Sequence, residues 1–353
     1  MCWYITGTTT TFAASNRKTM KRKFWLIGLF GLLIACKSKK AIPDVSGITV
    51  NLQTERFEKD FFSLDTLHTD TSLKQLNRKY PGFTEDFLFN ILGTSPDSAA
   101  NDTRLFIRSY AGMYRAAEQK LNNFAVIEKE VKKGLQFVKY YFPEYKLPGR
   151  LITFIGPINS YGNIIAPNAL AVGIQVYMGK DYPLYLSGQG QQMYPLFISR
   201  RFEPQYIPVN CMKNIIDDMY PDNTVGRPLV EQMVEAGKRQ YILDRLLPET
   251  ADTLKTGYTQ SQLDGCYESE KNIWSFFLQN ELLYSTDPNL TRDYMNDGPN
   301  TQALGEASPG NIGQFVGRQI VFKWMEKQKE LSLDALMKTP AKKIFDEAKY
   351  KPR

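Results

Sequence analysis

Histidine is nearly absent from this chain, because His68 is the single histidine among 353 residues. A catalytic zinc ion is usually held by three protein ligands, commonly histidines with a carboxylate, and by a water molecule. A site with two histidine ligands therefore cannot form within one chain. Serine and cysteine hydrolases that need a histidine base are also disfavoured, because His68 is the sole candidate and lies in a polar stretch. We predict no cofactor and no metal ion.

Cysteine is also scarce, and only Cys211 and Cys266 follow Cys36 in the sequence. An oxidising compartment would permit a disulfide between these two residues. The alternative is a pair of separately buried thiols. The apolar helix face around Cys211 favours this alternative, because free cysteine packs well among apolar side chains.

Long apolar runs are lacking as well. The apolar stretch Phe24–Ala35 follows Lys21-Arg22-Lys23 and is too short to span a bilayer. A basic segment followed by a short apolar one is typical of a secretory signal peptide. The stretch ends in Leu33-Ile34-Ala35-Cys36, which resembles a bacterial lipobox. Cleavage before Cys36 would leave its thiol for a diacylglycerol and its amine for a further acyl chain, and several chains together anchor a protein stably.

The domain organisation follows from this assignment. We expect translation to start at Met20, with residues 1–19 as an upstream extension and residues 20–35 as a lipoprotein signal peptide. Residues 36–47 are a polar tether, and residues 48–353 are a single globular domain. The tether has no acidic residue just after Cys36. In the lipoproteins that this segment resembles, early acidic residues often signal export to the cell surface, so the resemblance implies a periplasm-facing anchor.

The excess positive charge belongs mostly to the targeting segment. Residues 1–35 hold five of the 44 basic residues and none of the 37 acidic ones, so their removal lowers the net charge from +7 to +2. The basic pI of the full sequence is therefore no evidence for nucleic-acid binding. We predict the membrane as a partner, reached through the N-terminal lipid, and no nucleic acid.

The apolar periodicity predicts an α+β fold that is predominantly helical and contains a small mixed sheet. β-Branched and aromatic residues mark the central strands, and an edge strand is expected at the start of the domain. The predicted strands are 48–61, 149–156, 164–166 and 170–178. The predicted helices are 102–121, 123–142, 207–220, 228–248, 262–283 and 311–330, and a long loop is expected at 287–310.

Two of the predicted helices carry a candidate site. On the later helix Glu235 precedes Gly237, and a mid-helix glycine costs about 1 kcal/mol relative to alanine, so it needs a packing reason. On the earlier helix Asn210 and Asn214 are four residues apart, the spacing at which zinc peptidases place two histidines. A solvated Glu235 on an ordinary amphipathic helix is the simpler interpretation, because charged residues are mostly exposed.

Several short sequence blocks occur in one order along the second half of the chain. They are Glu235-Ala236-Gly237, Gly257-Tyr258-Thr259, Leu282 to Asp287, Asp297-Gly298-Pro299, Ser308 to Gly313 and Val316 to Val321. With these blocks the chain resembles, over about residues 48–337, the gliding motility-associated lipoprotein family GldB. That family is distantly similar to zincin metallopeptidases. The resemblance implies a zincin-like fold, a lipid anchor and a role in gliding motility or its associated secretion machinery.

The same resemblance places Glu235 near the third zinc ligand of the active relatives, and the histidine pair near Asn210 and Asn214. Neutral asparagine oxygens are weak zinc ligands, so we expect a vestigial site without a metal. Glu235 should then be partly buried in a cleft and hydrogen-bonded, with the two asparagines as the first candidates. Arg200 and Arg201 could meet an anion, although a solvated or salt-bridged pair is favoured.

The sequence thus predicts a non-catalytic, lipid-anchored cell-envelope protein that supports gliding motility by binding other motility or secretion proteins. The alternative is a hydrolase, either a peptidase or a cell-wall-directed enzyme, that uses a carboxylate or an atypical metal site. Glu235 with Glu270 or Glu281 would supply two carboxylates for glycoside hydrolysis, but nothing in the local sequence supports such a pair. The near absence of histidine favours the non-catalytic interpretation.

Overall fold

Residues 42–352 are described by the computed structural model, and they form a mostly helical structure around one small sheet. The α+β, predominantly helical fold class is confirmed. The predicted extension, signal peptide and lipidated Cys36 lie outside the described residues, as does the first half of the tether, and they stay predictions. The chain from Asp44 onward groups into one compact unit.

The sheet contains both parallel and antiparallel strands, as predicted. Its strands are β1 Gln53–Arg56, β2 Arg150–Phe154, β3 Asn163–Ala166 and β4 Ala169–Gly173. The spatial order is β1-β2-β4-β3, in which β2 is parallel to β1 and to β4, and β3 is antiparallel to β4. Every residue of β4 is buried, as are all but the first residue of β2. Nearly continuous apolar runs are typical of strands that are covered on both faces.

A tight turn sets the antiparallel edge strand beside β4. The turn consists of Pro167 and Asn168, and Asn168 has a φ of 56°. Asparagine tolerates this left-handed conformation better than most residues do. The Asn168 side chain also accepts a hydrogen bond of 3.1 Å from the main-chain N–H of Gly149, which ties the turn to the start of β2.

Helices make up most of the remaining described chain. In chain order the α-helices are α1 Phe57–Phe62, α2 Thr69–Lys79, α3 Phe83–Glu85, α4 Ala99–Lys120, α5 Ala125–Tyr141, α6 Pro183–Leu186, α7 Gly188–Met193, α8 Leu196–Ser199, α9 Ile207–Met219, α10 Leu229–Leu246, α11 Asp252–Thr256, α12 Gln260–Glu268, α13 Glu270–Gln279, α14 Pro288–Met295, α15 Ile312–Met325, α16 Leu333–Lys338 and α17 Ala341–Ala348. A π-helical turn lies at Asp86–Ile91, and 3-10 turns lie at Ile174–Val176, Pro204–Tyr206, Leu282–Tyr284 and Gln302–Leu304. Within residues 42–352, none of the helices has the length and apolar character needed to cross a membrane.

The predicted edge strand at 48–61 is too long. β1 ends at Arg56, and α1 begins with Phe57. Phe57, Glu58 and Phe61 are all buried, and this spacing corresponds to one face of a helix. In a strand, the adjacent Phe57 and Glu58 would point to opposite faces.

Three later predictions also need correction. The predicted strand 170–178 ends at Gly173, because Ile174–Val176 form a 3-10 turn. The predicted helix 262–283 is broken at Ser269 into α12 and α13. The predicted loop 287–310 contains the helix α14, and the sequence does carry a helix-start signal there. Asp287 caps its N-terminus by accepting a hydrogen bond of 2.9 Å from the N–H of Asn289, and Pro288 occupies the first helical position.

The helix α9 lies between the sheet and the large helices. It packs against β3, α5 and α10, and α10 in turn packs against α15 and α17. Both helices of the predicted site, α9 and α10, therefore belong to the core of the described chain, and α9 presents one face beside the edge of the sheet.

Candidate functional site

A cleft of about 390 Å³ opens beside α9. Its polar lining includes Asn163, Tyr177, Arg201, Asn210, Lys213 and Asn214, and its apolar lining includes Val176, Ile198, Phe202 and Leu254. The three residues from α9 are spaced three and four apart, so they share one face of the helix. The other polar residues come from the start of β3, the turn after β4 and the segment before α9.

A chain of hydrogen bonds ties this face of α9 to the sheet. The Nδ2 of Asn210 donates to the hydroxyl of Tyr177 over 2.7 Å, and that hydroxyl donates to Oδ1 of Asn163. The Tyr177 side chain is buried, and burial raises its pKa above the ordinary value. The phenol therefore stays neutral and serves as both donor and acceptor, and Asn210 has the structural role of holding it.

Asn214 makes a second, weaker link to the same strand. Its Nδ2 lies 3.5 Å from the carbonyl oxygen of Asn163, and Nδ2 of Asn163 lies 3.6 Å from Sγ of Cys211. Asn163 thus contacts successive turns of α9 through its side chain and main chain. The structure brings the two predicted asparagines together at one cleft, beside the edge strand.

Cys211 and Cys266 are separate, buried thiols in the structure, so the disulfide alternative is not the one observed. Burial raises the pKa of each thiol to about 12. At neutral pH burial therefore favours the neutral thiol over the reactive thiolate at both positions.

The expected hydrogen bonds from the two asparagines to Glu235 are not observed. The Glu235 carboxylate accepts a hydrogen bond of 2.8 Å from Nζ of Lys238 on the same helix, and Glu235 does not line the cleft. The Glu235 side chain is 14% exposed and that of Lys238 only 1%. Lys238 also donates to the carbonyls of Met337 and Thr339, at 3.3 and 2.6 Å, where α16 ends. Burial lowers the pKa of Lys238, and Glu235 counteracts that effect by supplying the counter-charge.

The residues that line the cleft do not fit a catalytic zinc ion. Its polar side chains are amides, which bind zinc weakly, the neutral hydroxyls of Ser160, Tyr177, Tyr194 and Tyr206, and two cations, which repel a metal ion. Within the described part of the chain, no group of three or more histidine, cysteine or acidic side chains could hold a metal. His68 is exposed and bonded to Asp65 at 2.8 Å.

The two arginines before α9 have different roles. Arg200 donates a hydrogen bond of 2.8 Å to the carbonyl of Gly257 and so joins two loops. Arg201 lines the cleft and forms an ion pair with Asp297. For Arg201 the salt-bridged interpretation is therefore the one that the structure shows.

Lys213 is one of the cleft residues that the sequence reasoning missed, together with Asn163 and Tyr177. It is partly buried, and burial followed by the nearby charge of Arg201 lowers its pKa to about 8. The sequence did contain a signal for its position, since Lys213 follows Asn210 by three residues and so lies on the same face of the helix. A single lysine on a helix is ordinarily solvated, and for this reason the spacing alone did not stand out.

The fold and the cleft define a class: a mostly helical α+β protein with a polar, cation-lined cleft between one helix and the edge strand of a small mixed sheet. The family described as gliding motility protein GldB matches residues 38–352, and the chain belongs to that family. It therefore has a role in gliding motility, as a membrane-anchored lipoprotein of the cell envelope. No curated protein matches the chain significantly, and no solved structure does so either.

Proposed function

We propose that the protein is a non-catalytic envelope lipoprotein that supports gliding motility and its associated secretion machinery by binding partner proteins. The anchor is a lipid on Cys36 that faces the periplasm, and the fold is a zincin-like scaffold without its metal. Family membership supports the motility role and the envelope location. The non-catalytic part rests on one observation about the side chains that the family resemblance places at the positions of the zinc ligands.

That observation is that these side chains serve other contacts. Glu235 is the counter-ion of the buried Lys238. Asn210 and Asn214 bond to groups on the sheet side of α9, Tyr177 and the carbonyl of Asn163. Three protein ligands must converge on a catalytic zinc, and this arrangement does not supply them.

The zincin-like part is supported by the placement of α9. The mixed sheet precedes α9 in the chain, and its antiparallel edge strand, β3, packs against that helix. This is the order of sheet and helix that the family resemblance implies. Comparison with an experimental structure of an active relative would test it directly.

Metal analysis and complementation test the proposed function together. The full chain, purified in detergent without added metal, should contain far less than one transition-metal ion per molecule. In cells that lack the gene, the double variant Glu235→Gln/Lys238→Met should restore gliding, because it removes both charges of the pair and leaves no unpaired buried ion. Abundance is followed by immunoblot, so that a folding defect is recognised as such.

A hydrolase makes the opposite forecast. Stoichiometric metal in the wild type, together with a folded and abundant double variant that cannot restore gliding, would contradict the proposal.

Chemical cross-linking in intact cells tests the partner-binding part. Covalent adducts with other envelope proteins are expected, and recovery of the uncross-linked chain alone would count against partner binding.

A further inference from the structure

Lys213 carries a charge that no neighbouring side chain neutralises. Within residues 42–352 its ammonium makes no hydrogen bond and no ion pair. Two acids are near enough to act on it through space, Asp217 and Asp297. Each is already paired with an arginine, Asp297 with Arg201 and Asp217 with Arg239 at 2.6 Å. Both pairs are neutral as units, so the lysine charge remains.

The position of Lys213 makes this charge costly. The residue lines both the cleft and a smaller cavity of about 210 Å³ between α9 and α10. A charge withdrawn from water without a partner is unfavourable, and the lowered pKa of Lys213 reports this effect. An anion in the cleft would provide the missing partner.

The walls of the cleft suit a peptide. A volume of about 390 Å³ falls within the range of ligand pockets, which are mostly apolar with a few placed polar groups. Apolar contacts are offered by Val176, Ile198 and Phe202, and an amide group by Asn214, whose side chain makes within residues 42–352 just the 3.5 Å contact to the carbonyl oxygen of Asn163. An amide side chain both donates and accepts hydrogen bonds, so it can pair with the N–H and C=O groups of a peptide.

We propose that the cleft binds an acidic segment of a partner protein and seats one of its side-chain carboxylates against the Lys213 ammonium. This inference rests on the proposed function and names the chemistry of the partner. A carboxylate is favoured over a phosphate because arginine is the usual bidentate ligand of phosphate, and Arg201 is committed to Asp297. One free ammonium matches the single charge of a carboxylate.

Isothermal titration calorimetry on the full chain in detergent tests the inference. The probe is tetraglutamate with an acetylated N-terminus and an amidated C-terminus. It should bind, whereas tetraglutamine with the same blocked ends should not. Tetraglutamine with a free C-terminal carboxylate separates a terminal carboxylate from a side-chain one, and should bind more weakly than tetraglutamate. Inorganic phosphate should not compete with the peptide.

Variants at Lys213 locate the site. Lys213→Gln should weaken tetraglutamate binding by roughly tenfold or more, the scale of one hydrogen bond to a charged group. Lys213→Arg keeps the charge and should retain most of the affinity. Lys74→Gln is the matched control, because Lys74 is an exposed lysine on α2 that does not line the cleft. Its affinity should equal that of the wild type.

Proton uptake gives a second measurement that a purely structural lysine would not produce. At about pH 8.5 part of the Lys213 population is neutral, and a bound carboxylate should raise its pKa, so binding takes up protons. The other charged groups that face Lys213 are Arg201, Asp297, Asp217 and Arg239. The titratable tyrosines of the cleft are Tyr177, Tyr194 and Tyr206, and burial raises the pKa of each of them. The uptake, measured in buffers of different ionisation enthalpy, should vanish in Lys213→Arg.

Four outcomes overturn the inference: no binding of tetraglutamate up to about 1 mM, equal binding of blocked tetraglutamine, equal competition by phosphate, or unchanged affinity in Lys213→Gln. The inference and the proposed function fail separately. Stoichiometric metal with hydrolytic activity would overturn the proposed function even where tetraglutamate binds. Absence of peptide binding in a metal-free protein that restores gliding would overturn the inference alone.

Discussion

Gly237 of α10 and Gly317 of α15 bring the backbones of two helices into direct contact. A Cβ atom on Gly237 would lie 2.2 Å from the carbonyl oxygen of Gly317, and a Cβ atom on Gly317 would lie 1.6 Å from the carbonyl oxygen of Met233. Neither distance is possible for real atoms, so the helices would have to separate. This contact is the packing reason that a glycine in mid-helix requires, and it fixes α10 at the centre of the helical core.

The first prediction is that Gly317→Ala lowers the free energy of unfolding by about 2 kcal/mol, because overpacking outweighs the gain in helix propensity. Urea denaturation of the full chain in detergent measures the change. Gly112→Ala in α4 is the matched control, since a Cβ at Gly112 meets nothing within 4 Å. That variant should gain up to about 1 kcal/mol. Equal shifts in the two variants would contradict the packing role.

The second prediction concerns the buried ion pair. Glu235→Gln should lower the free energy of unfolding by about 2 kcal/mol, because Lys238 loses the counter-charge of its buried ammonium. Adding Lys238→Met should recover part of this loss, since no unpaired buried charge remains. Arg227, whose Nη1 lies 3.8 Å from Glu235, is 37% exposed and is solvated once the carboxylate is gone.

Glu326→Gln is the control for the ion pair. Glu326 pairs with Lys323 at the same i, i+3 spacing, but both side chains are about half exposed. Its removal should change the free energy of unfolding by less than about 0.5 kcal/mol. A similar small effect for Glu235→Gln would show that Lys238 does not depend on this carboxylate.

The third prediction concerns the anchor. Cys36→Ala should leave a precursor that retains residues 20–35, because lipid transfer to the thiol precedes processing at a lipobox. Radiolabelled palmitate should enter the wild type and not this variant. Cys2→Ala is the control, and it should label as the wild type does, since translation is expected to start at Met20. Equal labelling of Cys36→Ala and the wild type would remove the lipoprotein interpretation.

The sequence predicted α9 and the central strands because their signals are local. The apolar residues of α9 recur with a helical period, β2 contains the β-branched Ile152 and Thr153 beside Phe154, and β4 is a short continuous run of small and apolar residues. The start of α1 was missed because alternation at Ile48, Val50 and Leu52 suggested that the strand continued. Its helical pattern appears only in the joint burial of Phe57 and Glu58, which is tertiary information.

The polar contacts of the site are long-range in sequence, and this is why they were not predicted. Asn210 bonds to Tyr177, 33 residues earlier, and Lys238 bonds to Thr339, 101 residues later. The local apolar periodicity of a sequence carries no information about such long-range hydrogen bonds. Gly237 of α10 predicted a structural contact more reliably than Glu235 did. A helix tolerates a central glycine mainly where another backbone approaches.

The last prediction is that Lys213 makes stability depend on pH in a defined window. Its pKa is about 8 in the folded protein and 10.5 in the reference state. Between these values the unfolded chain binds more protons than the folded one, so the contribution of Lys213 to the free energy of unfolding rises with pH. Below the window both states are protonated, and the cost of burying the charge is fully present.

Lys213→Met removes that cost, so the variant should be more stable than the wild type at about pH 7, and the difference should shrink toward pH 10. Urea denaturation of both proteins at several pH values measures it. The difference between the two proteins cancels the titration of buried tyrosines such as Tyr258, whose pKa is also raised by burial. Lys74→Met replaces an exposed lysine, and its free energy of unfolding should differ from that of the wild type by the same amount at every pH. A constant difference for Lys213→Met as well would mean that the ammonium is solvated in the empty cleft, and it would remove the reason for an anionic ligand there.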